Sequence, residues 1–208
     1  MTNKVSRIIA IFVALVSMVV MVGWFLDFPT LKNILPQFVT MKFITAVCFL
    51  LSSLNLYLIV RMNLCRQEWE SMALLFVSFL TILLMASLLV STFIGIKTGV
   101  EDLFVKEVSG AVKTVAPGRP SLVTMINFVL IAGIGLSNLY RLSVAVSRTL
   151  GLLVTLFGGM AILGYIIDLP KLYGHFNNFS TAMALHTAIL FVLLGVGFLT
   201  IRVKKDQG

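Results

Sequence analysis

The chain has 208 residues, 59% of them hydrophobic and 12% charged, with a mean hydropathy of +1.06 and a formal net charge of +8. That much apolar surface exceeds what a soluble domain can hide, and no basic cluster is dense enough to track a phosphate backbone, which excludes nucleic acid as a partner. The composition predicts an all-α integral membrane protein whose first partner is the lipid bilayer.

Six apolar runs follow one another, at about 8–26, 42–60, 71–94, 121–140, 149–167 and 182–201. Each is close to the roughly 17–25 residues that cross a hydrocarbon core of about 30 Å. The alternation of a transmembrane barrel is missing, so helices are the expected way to satisfy the backbone in lipid. The first run is longer than the core of a secretory leader and lacks a small-residue cleavage pattern, so it is read as part of the mature fold. With the N-terminus inside, nine Lys and Arg fall on the inner side and seven on the outer side, which also holds all five prolines. The expectation is a multi-pass protein of a bacterial inner membrane with both termini cytoplasmic.

The runs repeat. Residues 6–31, "SRIIAIFVALVSMVVMVGWFLDFPTL", align without a gap on 147–172, "SRTLGLLVTLFGGMAILGYIIDLPKL", matching Gly23 to Gly164, Trp24 to Tyr165, Asp27 to Asp168 and Pro29 to Pro170. The even runs match as well, through Thr45, Phe49, Ser53; Thr124, Phe128, Ala132; and Thr187, Phe191, Gly195, each set spaced by four and so on one helical stripe. The expected fold is a single membrane domain, 1–208, of six transmembrane helices. They form three same-orientation hairpins, about 6–61, 71–141 and 147–202, around a pseudo-threefold axis. Parallel repeats lack the inverted symmetry common in alternating-access carriers, which leaves a small transporter as the third functional reading. In the longest loop, about 95–120, Val100, Leu103, Phe104, Val108 and Val112 suggest a short amphipathic helix on the outer surface.

The segments "ILPQFVTMKFITAVCFLLSSLNLYL" and "MALHTAILFVLLGVGFL" resemble the six-helix N-terminal membrane region of bacterial PAS-containing histidine kinases and diguanylate cyclases. The resemblance covers about Ser6 to Arg202. It implies a sensory input module of signal transduction that binds a small hydrophobic or redox ligand, or a partner, between hairpins. Only "RVKKDQG" follows the last run, so no kinase or cyclase output domain is expected. The alternative is an accessory subunit of a larger membrane complex, binding lipids, pigment or partner helices. A membrane-protein partner or a second copy of the chain fits either reading.

His186 is the leading ligand candidate, because ionisable groups inside a membrane carry function by default; the structural alternative is a neutral residue bridging hairpins near the outer interface. Thr45, Thr124 and Thr187, with Asn127 one turn on, either surround a polar pocket or join helices, as Asn55 and Asn138 also would. Asp27 and Asp168 form either a cation-sensing pair or two turns that end helices before proline. His175 lies in a loop, and no metal-ligand spacing accompanies either histidine, so neither a metal nor a cofactor is assigned. Cys48 and Cys65 fall at separate depths, against a disulfide. With no nucleophile–base pair or phosphate-cradling loop, an enzyme is not expected.

Overall fold

The computed structural model describes residues 2–33, 38–64, 67–107, 114–140, 144–174 and 180–201, the side chains of Thr2 and Val144 excepted. Among these residues the chain is all-helical, without strands. The apolar runs correspond to α1 (Thr2–Phe25), α2 (Phe43–Met62), α3 (Glu68–Ile94), α4 (Leu122–Leu139), α5 (Val144–Ile166) and α6 (Leu185–Leu199). By length and composition the first five can cross a membrane. At 15 residues, α6 is shorter than the run that announced it, rising about 22 Å. Its shortening has a local cause. The Met183 carbonyl accepts the Tyr165 hydroxyl at 2.7 Å, and the Met183 N–H donates to the Tyr173 carbonyl at 2.8 Å. Both bonds hold the buried residues before α6 extended.

Local chemistry sets several of the ends. α3 opens on a capping box between Gln67 and Glu70, with Glu68 and Glu70 in the first turn where the helix dipole favours negative charge. It ends at Gly95 in the left-handed conformation. Ser121 caps α4 by accepting the Thr124 N–H at 3.1 Å.

The even-numbered helices are inside and the odd-numbered ones outside. α1 packs most extensively on α2, α3 on α4, and α5 on α6; α1 also touches α6, α3 touches α2, and α5 touches α4. The outward faces are apolar, with Ile8, Leu15 and Val19 exposed on α1, Met72, Phe76 and Phe79 on α3, and Leu156, Met160 and Leu163 on α5. Such continuous apolar faces are compatible with a multi-pass membrane protein. At the centre, Phe49, Phe128 and Phe191 are fully buried and form a closed triangle, with ring centroids 4.9, 4.7 and 4.9 Å apart. Two of the three pairs meet edge-on and the third is tilted; edge-on contact is an arrangement that aromatic quadrupoles prefer.

Polar contacts link the helices at the end that carries Ser6. Ser6 donates to the Gly197 carbonyl at 2.9 Å and meets Thr200 Oγ1 at 3.0 Å. Its match Ser147 meets Ser137 Oγ at 3.1 Å and accepts from Asn138 Nδ2 at 2.9 Å. Between α2 and α3, Arg61 pairs with the buried Glu70 at 2.9 Å.

At the opposite end, the loop after α3 departs from the expected surface helix. Among its described residues the helical part is a 3-10 turn, Val100–Asp102, and Leu103 and Phe104 are exposed; Val108 and Val112 lie outside the described residues. Glu101 and Glu107 both turn inward, which a helix cannot arrange, since six residues rotate it by about 240° net. Glu101 Oε1 takes Arg119 Nη2 at 2.8 Å and Ser91 Oγ at 2.6 Å. Glu107 Oε1 takes Lys42 Nζ at 2.5 Å, and its Oε2 takes the Gly118 N–H at 2.6 Å. The loop also reaches α6's approach, where Thr181 Oγ1 accepts from the Val115 N–H at 3.3 Å.

Candidate functional site

Two matched turns shape the region after α1 and after α5. Asp27 and Asp168 both adopt left-handed backbone, with φ of 52° and 50°, a conformation that Asp tolerates better than most residues. Phe28 N–H returns to the Gly23 carbonyl at 2.9 Å, and Leu169 N–H to the Gly164 carbonyl at 2.8 Å. The absence of a side chain at each glycine admits the folded-back leucine: a Cβ on Gly23 would lie 2.5 Å from Leu31 Cβ, and one on Gly164 2.7 Å from Leu172 Cβ. The matched aromatics also act alike, Trp24 Nε1 donating to the Met41 carbonyl at 2.9 Å as Tyr165 does to Met183.

Both aspartates are exposed. Asp27 pairs with Lys32 at 2.6 Å, and the hydrogen bond and charge of Lys32 hold its carboxyl below the usual range. Its position is that of a turn residue, and so is that of Asp168.

The fold-back lays residues 29–33 against α1, beside the first turn of α6. Between them lies a cleft of about 380 Å³, within the size range of small-molecule sites. Phe12, Leu15, Val16, Val19 and Val20 of α1 form its wall, Leu31 its end, and the polar groups are Thr30, Asn33 and His186. Two of those groups are unsatisfied: Asn33 Oδ1 and His186 Nε2 are buried and have no hydrogen-bond partner among the described residues. A buried orphan polar atom costs about 1–3 kcal/mol, so two in one apolar cleft require explanation.

Comparison with protein families, with curated proteins and with solved structures finds no match. The chemistry of the cleft is therefore read from its own residues. No group of three or more His, Cys, Asp or Glu able to hold a metal occurs among the described residues.

Of the residues singled out from the sequence, His186 alone lines this cleft. Thr45, Thr124 and Thr187 are buried in the even-numbered helices, Thr124 sharing a 2.7 Å hydroxyl contact with Ser121. Asn55 joins α2 to α3 through Ser78 Oγ at 3.0 Å, and Asn138 joins α4 to α5. Asn127 is fully buried in α4 with both side-chain polar atoms unpartnered among the described residues. Cys48 is a buried free thiol; Cys65 and His175 lie outside the described residues. Asn33 was missed. Carrying the gapless register two residues past Leu31 and Leu172 pairs it with Gly174, and that replacement of glycine by an amide was the available signal.

Proposed function

We propose that this chain is a membrane-embedded sensory input module. Its six helices form three hairpins of one orientation about a pseudo-threefold axis, and a small lipophilic ligand enters the cleft between α1 and α6. The cyclic packing of odd on even helices and the Phe49–Phe128–Phe191 triangle support the arrangement. The apolar outward faces of α1, α3 and α5 support the bilayer as its solvent. In the orientation given by the basic residues, the termini are cytoplasmic and the cleft lies toward the outer leaflet.

The observation that carries the ligand reading is the unsatisfied pair, Asn33 Oδ1 and His186 Nε2, in a cleft whose remaining lining is hydrocarbon apart from Thr30. Input requires more than binding, because a ligand shifts a packing equilibrium only by its difference in affinity for the two packings. The α1–α6 contact supplies a route. The same two helices that flank the cleft meet again at the far end through Ser6, Gly197 and Thr200, so a wedge at one end bears on a polar junction at the other.

The test is a native mass spectrum of gently extracted protein, together with distances between spin labels at the exposed Val5 and Tyr140. A copurifying small molecule is expected, lost in His186→Leu protein that remains monodisperse, and its removal is expected to change the label distance. Retention of the molecule by His186→Leu, or an unchanged distance, overturns the reading.

A further inference from the structure

The repeat contains its own control for the cleft. α1 packs against α6 as α5 packs against α4. In the register of the repeats, Asn33 corresponds to Gly174 and His186 to Val123. At that second position the two partners close on each other, and a Cβ on Gly174 would stand 3.2 Å from Val123 Cγ2. One copy of the motif is thus sealed by an apolar contact. The other holds an amide and an imidazole whose buried polar atoms meet nothing among the described residues. The turns that lead to the two positions match in φ at Asp27 and Asp168 and in the glycine packing behind them. At the two positions themselves both side chain and backbone differ, Asn33 being extended with φ of -128° and Gly174 left-handed with φ of 76°.

The lining limits what enters. Among the described residues no charged side chain lines the cleft; its polar groups are Thr30, Asn33 and His186. A carboxylate or phosphate there would lose its hydration with no cation to replace it, which disfavours an anion strongly. A bare hydrocarbon would leave both orphan atoms unsatisfied. Asn33 Oδ1 accepts only, and His186 Nε2 accepts or donates according to tautomer. The complementary group is a neutral hydroxyl, alone or beside a carbonyl. Phe12, Leu15 and Val19 follow at helical spacing, and each is about half exposed on the outer face of α1, so the cleft continues as an open apolar track along which a hydrocarbon tail can lie.

From these features, and resting on the ligand reading above, we infer that the cleft takes an uncharged lipid: a hydroxyl-bearing head seated between Asn33 and His186, and an apolar tail against α1. A ring-headed quinol and a glyceride such as diacylglycerol share this chemistry.

The experiment uses the full chain in phosphatidylcholine vesicles, with Trp69→Phe so that Trp24, one turn from Val20 of the cleft, is the only tryptophan reporter. Decyl benzoquinol, dioleoylglycerol, oleate, dioleoylphosphatidylglycerol and hexadecane are titrated separately. One of the two neutral hydroxyl lipids is expected to bind at least about tenfold more tightly than the charged lipids or hexadecane. His186→Leu and Asn33→Leu are each expected to weaken it about tenfold, with His186→Gln, which keeps a hydrogen-bonding group, restoring much of the loss. The tighter of the two identifies the head as ring or glyceride. Equal or tighter binding of oleate or phosphatidylglycerol, still dependent on His186 and Asn33, overturns the head-group inference and leaves the site standing. Binding of all five that ignores both substitutions overturns the site as well.

Discussion

Tyr165 donates its hydroxyl to the Met183 carbonyl at 2.7 Å, across the gap between the end of α5 and the extended approach to α6. Because the acceptor is a backbone group ahead of the helix, the bond fixes where α6 begins. Tyr165→Phe keeps the ring stacked on Tyr173, whose centroid is 4.3 Å away, and removes only the donor. A loss of about 1 kcal/mol is expected, read as a lower thermal midpoint in detergent, with faster amide exchange at residues 181–184.

Adjacent glycines in α5 separate packing from propensity. A Cβ on Gly158 would lie 2.8 Å from the Ala188 carbonyl, whereas one on Gly159 meets nothing within 4 Å. Gly158→Ala should push α6 away and destabilise by about 1–3 kcal/mol, while Gly159→Ala should be neutral or stabilising by up to about 1 kcal/mol. Thermal midpoints of the two variants in one detergent check the contrast.

The loop anchored on Glu101 should respond to acid. Burial opposes its charge, but hydrogen bonds from Ser91, Arg119 and Thr98 and from backbone outweigh it and hold the carboxyl near 2. A carboxyl lowered on folding stabilises the fold above its unfolded value of about 4.5, and this contribution is lost as pH falls through the folded value. Protease resistance of the loop is therefore expected to decline between about pH 4.5 and 2, and Glu101→Gln should weaken the loop at pH 7 while flattening that decline.

The central triangle should be cooperative. Phe128→Ala removes two of its three ring contacts. The cost should fall below the roughly 3–5 kcal/mol of a soluble core, because in a bilayer the transfer contribution to the driving force largely disappears while the cavity remains. A Phe49–Phe191 double-mutant cycle in reversible unfolding from mixed micelles should return about 0.5–1.5 kcal/mol of coupling.

The parts legible in the sequence were those with local or repeated signatures. Hydropathy placed the six helices, steps of four put Phe49, Phe128 and Phe191 at equivalent positions on three of them, and the Asp-x-Pro pattern marked two matched turns. Residues 181–184, Thr-Ala-Met-Ala, are uncharged and contain no glycine or proline, so hydropathy could not tell their extended form from another helical turn. Nothing in the sequence sets Lys42, Glu101, Glu107 and Arg119 apart from the other charges between the apolar runs. Their burial comes from pairing across long sequence separations, which leaves no periodic trace. The cleft has the same character: Asn33 and His186 sit at opposite ends of the chain, and only the packing of α1 on α6 makes them neighbours of one cavity.

The buried Lys42–Glu107 pair bears on biosynthesis. A first hairpin emerging from the ribosome carries an ammonium whose counter-charge has not yet been translated, and Thr181, which holds the same loop from the other side, is made later still. Until Glu107 is made, Lys42 must keep its water. The nascent bundle therefore stays open at this end through about the first half of translation, and the cation is dehydrated only once its carboxylate has arrived.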